Sequence, residues 1–197
     1  MAIPSITANG TSYTKLELGS GARPTPGYLH QDITQQSGVE LAFTCDPWEI
    51  PLPPGSLTEV LALGLVEHLR FADVRKTLRH MHTLLRTGGA FFFDVPDMTV
   101  WSEYLFNLTH GAADKNPFTT EHVWSTVYGW QRWPGDEHKS GWTRQSMFAE
   151  LHEAGYSRIS EGVTLFTEKG LERRRFGRPH DAHLYLKAIK ADMAEAV

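Results

Sequence analysis

Short apolar runs, each broken by glycine, proline or an acidic residue, divide the first half of the chain. Lys15-Leu-Glu-Leu18 ends abruptly in Gly19-Ser-Gly21, the pattern of a buried parallel strand running into a glycine turn. A second run, Tyr28–Ile33, starts after only residues 22–27, and Pro24 and Pro26 in that link oppose a helix. Helical crossovers usually take at least ~10–12 residues. The spacing therefore predicts two parallel strands joined by an extended loop, which gains ~3.3 Å per residue on its way back. Val39–Thr44 reads as a third strand after another short link, and Leu57–Leu63 as a fourth, ending at Gly64. Between them Ile50-Pro-Leu-Pro-Pro-Gly55 is too proline-rich for a helix or a central strand.

The period then changes. Val74, Leu78, Met81 and Leu85 recur at three and four, which predicts a helix over Ala72–Arg86 with one apolar stripe and Gly88-Gly89 as its stop. Ala90–Val95 is apolar throughout except for Asp94, and Pro96 ends it. Trp101–Leu108 reads as a short helix. Residues 109–142 read as loop, yet they carry Trp124, Tyr128, Trp130, Trp133 and Trp142; so long an irregular stretch is usually functional or a lid. Thr143–Ala154 is an amphipathic helix with Thr143 as N-cap and Gly155 as stop. Tyr156–Gly162 and His183–Lys190 read as two final strands joined by a basic loop.

Strands alternating with helices, then two late strands, indicate an α/β fold with a mainly parallel sheet, shortened crossovers after its first two strands and a C-terminal antiparallel strand. Ligands of such sheets lie at the carboxyl ends of the strands, so Gly19–Gly21, Asp32, Asp46 and Gly64–His68 are expected to converge on one crevice. A sheet edge stripped of its helices leaves apolar surface, to be covered by the chain's tail or by a second subunit; a homodimer is the expectation.

Composition narrows the function classes. The 197 residues suit a single domain, with residues 1–13 a loose polar arm and 98–142 an insertion on the substrate side. Hydrophobic residues make up 41% and charged ones 21%, an ordinary globular balance. A net charge of −4 with no basic stripe disfavours nucleic acid as the main partner, and Arg173-Arg-Arg175 with Arg178 reads as a solvated loop. The single cysteine, Cys45, excludes a disulfide framework and a cysteine-based zinc cluster. The chain shows neither a signal-peptide pattern nor an apolar run of membrane-spanning length, so a cytoplasmic setting without a membrane partner is expected. His80 and His82 fall on different faces of their helix, and His110, His122 and His138 lack ligand spacing. No metal centre is expected.

Taken together, Leu16-Glu-Leu-Gly-Ser-Gly21, Gly27-Tyr-Leu-His-Gln-Asp32, Pro51-Leu-Pro-Pro-Gly-Ser56, Leu65-Val-Glu-His-Leu69 and Leu84-Leu-Arg-Thr-Gly-Gly89 resemble S-adenosylmethionine-dependent methyltransferases of the class I, Rossmann-like fold. The resemblance is to the compact type 11-like branch and covers about residues 15–97. Tyr128-Gly-Trp130, Asp136–Trp142 and Leu151–Tyr156 resemble that branch's C-terminal half. It implies S-adenosyl-L-methionine as cofactor. Leu18, Gly19 and Gly21 would let the backbone approach the cofactor, Glu17 would receive its ammonium directly or through water, and Asp32 would accept from the ribose hydroxyls. Asp46 would accept from the adenine amino group with Cys45 or Trp48 against the ring, and Gly64 and Leu65 would line the methionine side. Asp46-Pro47 is equally a turn opener, and Trp48 equally suits a core. The pattern departs from the family at Ser20, where glycine or cysteine is usual, and in the missing crossover helix.

The reaction implied is methyl transfer to an oxygen or nitrogen of a small-molecule acceptor. Such an acceptor benefits from a base, and His68, His138 and Asp97 are the catalytic candidates. The alternative is a non-catalytic S-adenosylmethionine-binding or assembly protein on the same fold. A nicotinamide-dependent reading fails at Pro24, which stands where G-x-G-x-x-G needs its third glycine.

Overall fold

The computed structural model describes residues 6–8, 11–162 and 182–191. Its strands are β1 (Ile6–Ala8), β2 (Thr11–Tyr13), β3 (Lys15–Leu18), β4 (Leu29–Gln31), β5 (Leu57–Ala62), β6 (Leu85–Pro96), β7 (Arg158–Glu161) and β8 (His183–Ile189). Its α-helices are α1 (Phe71–Leu84), α2 (Met98–Thr109), α3 (Thr120–Tyr128) and α4 (Arg144–Glu153). Six strands form one sheet in the order β4-β3-β5-β6-β8-β7. The first four run parallel, whereas β8 runs antiparallel to both β6 and β7. This is a Rossmann-like layer arrangement.

Alternation along the strands sorts the two faces. Leu16, Leu18, Val60, Ala62, Phe91 and Phe93 are fully buried on one face, where they join Val74, Leu78 and Met81 of α1 and Met147 and Leu151 of α4 in the main core. The predicted stripe of the long helix is thus the one that packs on the sheet. On the other face Leu61, Phe92, Tyr185 and Tyr28 form a smaller buried cluster. The ammonium groups of Lys15 and Lys187 lie over the Tyr28 and Phe92 rings, and Tyr28 donates to Glu59. Among the described residues these side chains are thus buried within the single chain.

Several expectations are corrected. Val39–Thr44 forms no strand: it meets β4 in a single bridge, Gln31 to Phe43, and in a few backbone hydrogen bonds. Its alternation reflects half-burial of Leu41 and Phe43 along an edge. The arm is not structureless, since β1 and β2 pair as a hairpin with Ile6 opposite Tyr13. Gly88-Gly89 does not stop α1. The helix passes directly into β6 at Leu85, and the Lys190 ammonium donates to the carbonyls of His82 and Leu85, each at 2.8 Å. A cation on the last carbonyls does there what a left-handed glycine usually does. Residues 109–142 are not all loop, because α3 lies within them, N-capped by the Thr119 side chain. Thr143 caps α4 as expected, in a reciprocal capping box with Ser146. The basic loop Arg173–Arg178 lies outside the described residues.

Strand order dictates where a crevice opens. From β3 the chain moves to one side to make β4 and then returns to the other side of β3 to make β5. The connections after β3 and β5 therefore diverge, and the space between them at the strands' carboxyl ends is a topological switch point.

Candidate functional site

The glycine turn follows β3 at that switch point. Gly19 and Gly21 have φ of 58° and 57°, a region side chains disfavour. A Cβ on Gly19 would lie 2.9 Å from Leu65 Cδ1, so the turn after β3 and the turn after β5 touch. Gln31 ties the turn inward: its Oε1 accepts from Gly19 N–H at 3.2 Å, and its Nε2 donates to the Cys45 carbonyl at 2.6 Å. Asp32 Oδ2 accepts from Gly21 N–H at 2.9 Å and Oδ1 from Thr34 N–H at 3.0 Å. Gly19, Gly21, Asp32, Cys45 and Leu65 are thereby gathered around one turn. Ser20 is 3% exposed, and its hydroxyl has no hydrogen-bond partner among the described residues. A buried hydroxyl so placed is normally satisfied by something.

Glu17, at the end of β3, has partners that the sequence does not announce. Its carboxylate accepts from Thr25 N–H at 2.6 Å and Thr25 O–H at 2.7 Å, and His30 Nδ1 lies 3.2 Å away. Both oxygens are engaged in anchoring the extended loop that replaces the crossover helix. Leu18 is core by its side chain and borders the crevice only through its backbone. Asp46 opens the short 3-10 turn Pro47–Glu49 through its carbonyl, which accepts from Glu49 N–H. Lys76 of α1 lies over the Trp48 ring at 5.0 Å. Burial pushes the Cys45 thiol up, with Glu49 adding to it.

Past β5, Gly64 N–H donates to Asp94 Oδ1 at 2.9 Å, and Asp94 Oδ2 lies 3.2 Å from His183 Nδ1. Asp94 is fully buried. This pair, together with Gln31, escapes sequence reasoning; the one polar residue in the apolar run Ala90–Val95 was its only signal.

The acceptor-side candidates meet across a long stretch of chain. Val66–His68 is a 3-10 turn, and the carbonyl of Glu67 accepts from Lys139 and Ser140 N–H, at 2.8 and 3.2 Å. That strap brings the His138 ring to 4.8 Å from the His68 ring, edge to face. His68 Nδ1 lies 3.2 Å from the Glu137 carbonyl, an acceptor only, so Nδ1 carries the proton. Burial first, and then the neighbouring His68, bring His138 down to about 4, a weak base at neutral pH. Burial alone would raise Asp136, but hydrogen bonds from Arg132 outweigh it and hold the carboxyl below its usual range. Asp97 follows β6 directly and spends one oxygen capping α2 through Thr99 N–H at 2.9 Å. Its backbone bridges to Trp142, whose indole donates to Ser140 on the same strap. Of the aromatic residues beyond, Trp142 is core, whereas Trp124, Tyr128, Trp130 and Trp133 are exposed.

No protein-family model matches the chain, and no curated protein does. Solved structures do match over most of its length. A SAM-dependent methyltransferase from Archaeoglobus fulgidus aligns with a TM-score of 0.57 at 14% identity, covering 90% of this chain and 86% of its own. Burkholderia thailandensis 1,6-didemethyltoxoflavin-N1-methyltransferase, solved with its namesake compound and S-adenosylhomocysteine, aligns at 0.54 and 16% identity, over 90% of this chain and 71% of its own. A SAM-dependent methyltransferase from Thermotoga maritima aligns at 0.54 and 11% identity, over 89% and 81%. These likenesses establish the fold.

Proposed function

We propose that this chain, which has the class I fold of S-adenosylmethionine-dependent methyltransferases, binds S-adenosyl-L-methionine between the turns after β3 and β5 and methylates an oxygen or nitrogen of a small molecule. One observation carries the reading: the switch-point turn combines close backbone approach at Gly19 with a carboxylate, Asp32, hydrogen-bonded to that turn. The buried, unpartnered Ser20 hydroxyl fits a polar ligand lying on the turn. The sulfonium supplies an activated methyl group, and the chain's residues position, orient and deprotonate around it.

Asp32 retains acceptor capacity on both oxygens for the ribose hydroxyls. Gly64, fixed by its bond to Asp94, and Leu65 border the methionine side. Cys45, Asp46 and Trp48 lie toward the base. Glu17 supports the turn from behind through Thr25 rather than meeting the ligand. On the acceptor side stand His68, His138 and Asp97, with His68 the group to take the acceptor's proton and His138 its wall. A small acceptor is favoured by the net charge of −4 and by the absence of any basic stripe in the sequence. The Burkholderia neighbour was solved with an acceptor of that size class.

Calorimetric titration with S-adenosylmethionine and S-adenosylhomocysteine tests the proposal. Saturable binding of both, at one site per chain, is expected. Absence of heat with either ligand would defeat the reading, and tight binding without turnover across a panel of small hydroxyl and amine acceptors would favour the non-catalytic alternative.

A further inference from the structure

Glu67, His68 and His138 each present one ligand atom, and the three atoms lie within 4.8 Å of one another. Two come from adjacent residues of a 3-10 turn and the third from a strap seventy positions on, so nothing in their spacing announces them. The strap is locked to the turn by its own backbone. Lys139 and Ser140 N–H groups donate to the Glu67 carbonyl, the Ser140 hydroxyl donates to the Val66 carbonyl at 3.3 Å, and His138 N–H donates to the Tyr128 carbonyl at 3.1 Å. Each imidazole is also oriented by a carbonyl: Nδ1–H of His68 faces Glu137, and the His138 ring bonds the Thr126 backbone. A backbone carbonyl on one ring nitrogen fixes the tautomer and directs the other nitrogen's lone pair, which is how a ligating histidine is normally held. Glu67 beside them is 5% exposed.

We infer that Glu67, His68 and His138 form a binding site for one borderline divalent cation, of the zinc, cobalt(II) or iron(II) type, at the acceptor end of the crevice. Two nitrogens and one carboxylate oxygen suit such cations rather than magnesium or calcium, and three protein ligands leave coordination positions open. Bonds of ~2.0–2.2 Å at near-tetrahedral angles set donor atoms ~3.3–3.6 Å apart, so closing the triad on a cation takes about an ångström of donor-atom movement by side-chain rotation. Leu65, which touches Gly19, lies two residues before Glu67, so the triad follows directly on the turn after β5. On the methyl-transfer reading, a cation-bound acceptor hydroxyl loses its proton to solvent, and the O–CH3 bond forms as the C–S bond breaks. The cation then lowers the hydroxyl's pKa, so that with a cation bound His68 acts as a ligand and gives up the proton-accepting role assigned to it above.

The test uses tag-free protein stripped with a chelator and titrated with Co2+ and Zn2+ by calorimetry, with visible absorption recorded for Co2+. One equivalent of either metal is expected to bind, with the intense d–d bands of a four- or five-coordinate site. Glu67→Gln should weaken binding by about tenfold or more, and His138→Ala should abolish the bands. His110→Ala, an exposed histidine outside the triad, should change neither. Because His138→Ala removes a packed ring, His138→Gln and His68→Ala are run beside it, and S-adenosylhomocysteine binding is measured on every variant to show that the fold survives. Failure to take up one equivalent, or equal uptake by the His68 and His138 variants, would overturn the inference. Loss of nucleoside binding with metal uptake intact would strike the methyl-transfer proposal instead.

Discussion

Asp32 directs one oxygen to Gly21 N–H and the other to Thr34 N–H, so it closes the glycine turn and still has lone pairs to offer a diol. Asp32→Ala should therefore weaken S-adenosylhomocysteine binding by ~1–3 kcal/mol, as for a hydrogen bond lost from a charged acceptor. An unchanged dissociation constant by calorimetry would remove Asp32 from the ribose. At this scale the sequence exposed what is local. Gly19, Gly21 and Asp32 announce themselves because each stands where an apolar run stops. Gln31 and Asp94 do not, since a glutamine at a strand end and an aspartate inside an apolar strand acquire meaning only from Cys45 and His183, far along the chain. Glu17 was visible, but the bonds it accepts from Thr25 were not, since the loop that carries Thr25 has no local pattern pointing back at β3.

Elements were legible where period and cap agreed. The three-and-four spacing of Val74, Leu78 and Met81 located α1, and Thr143 located α4. Replacing Thr143 with alanine removes the acceptor for Ser146 N–H and should cost ~0.5–2 kcal/mol, read as a lower urea midpoint with an unchanged slope. The errors have physical causes. Alternation at Val39–Thr44 is real but serves an edge that is half in water, where one bridge suffices. The stop of α1 is a lysine on the last strand, more than a hundred positions away, which no local pattern carries. Helix α3 was hidden because its buried face is only Val123 and Thr126, while Trp124 and Tyr128, stacked on each other, face outward.

For the molecule as a whole, histidines link packing to pH. Burial lowers His82 and His122 below the ordinary histidine range; the nearby Lys190 adds to the first and His183 to the second. His82 meets Tyr156 edge to face, and His122 stacks on Phe118 with ring centroids 4.8 Å apart. With folded values below the unfolded one, the unfolded chain binds more protons as pH falls past 6.5. Stability should hold above that point and decline beneath it. A urea midpoint measured at about pH 7.5 should thus exceed that at about pH 5.5, and replacing both histidines with glutamine should narrow the gap. A gap of undiminished size would place the acid sensitivity elsewhere.

The ten residues between β3 and β4 hold themselves without a helix, pinned by Thr25 to Glu17 and stiffened by Pro24 and Pro26. A helical crossover would have offered its positive N-terminal pole to the carboxylate end of a bound amino acid. Here that pole is missing, so any anionic tail in the crevice must rely on individual N–H groups and hydroxyls. Discrimination among ligands that share the adenosine half but differ in the charge of the other half is accordingly blunter than a helix would make it.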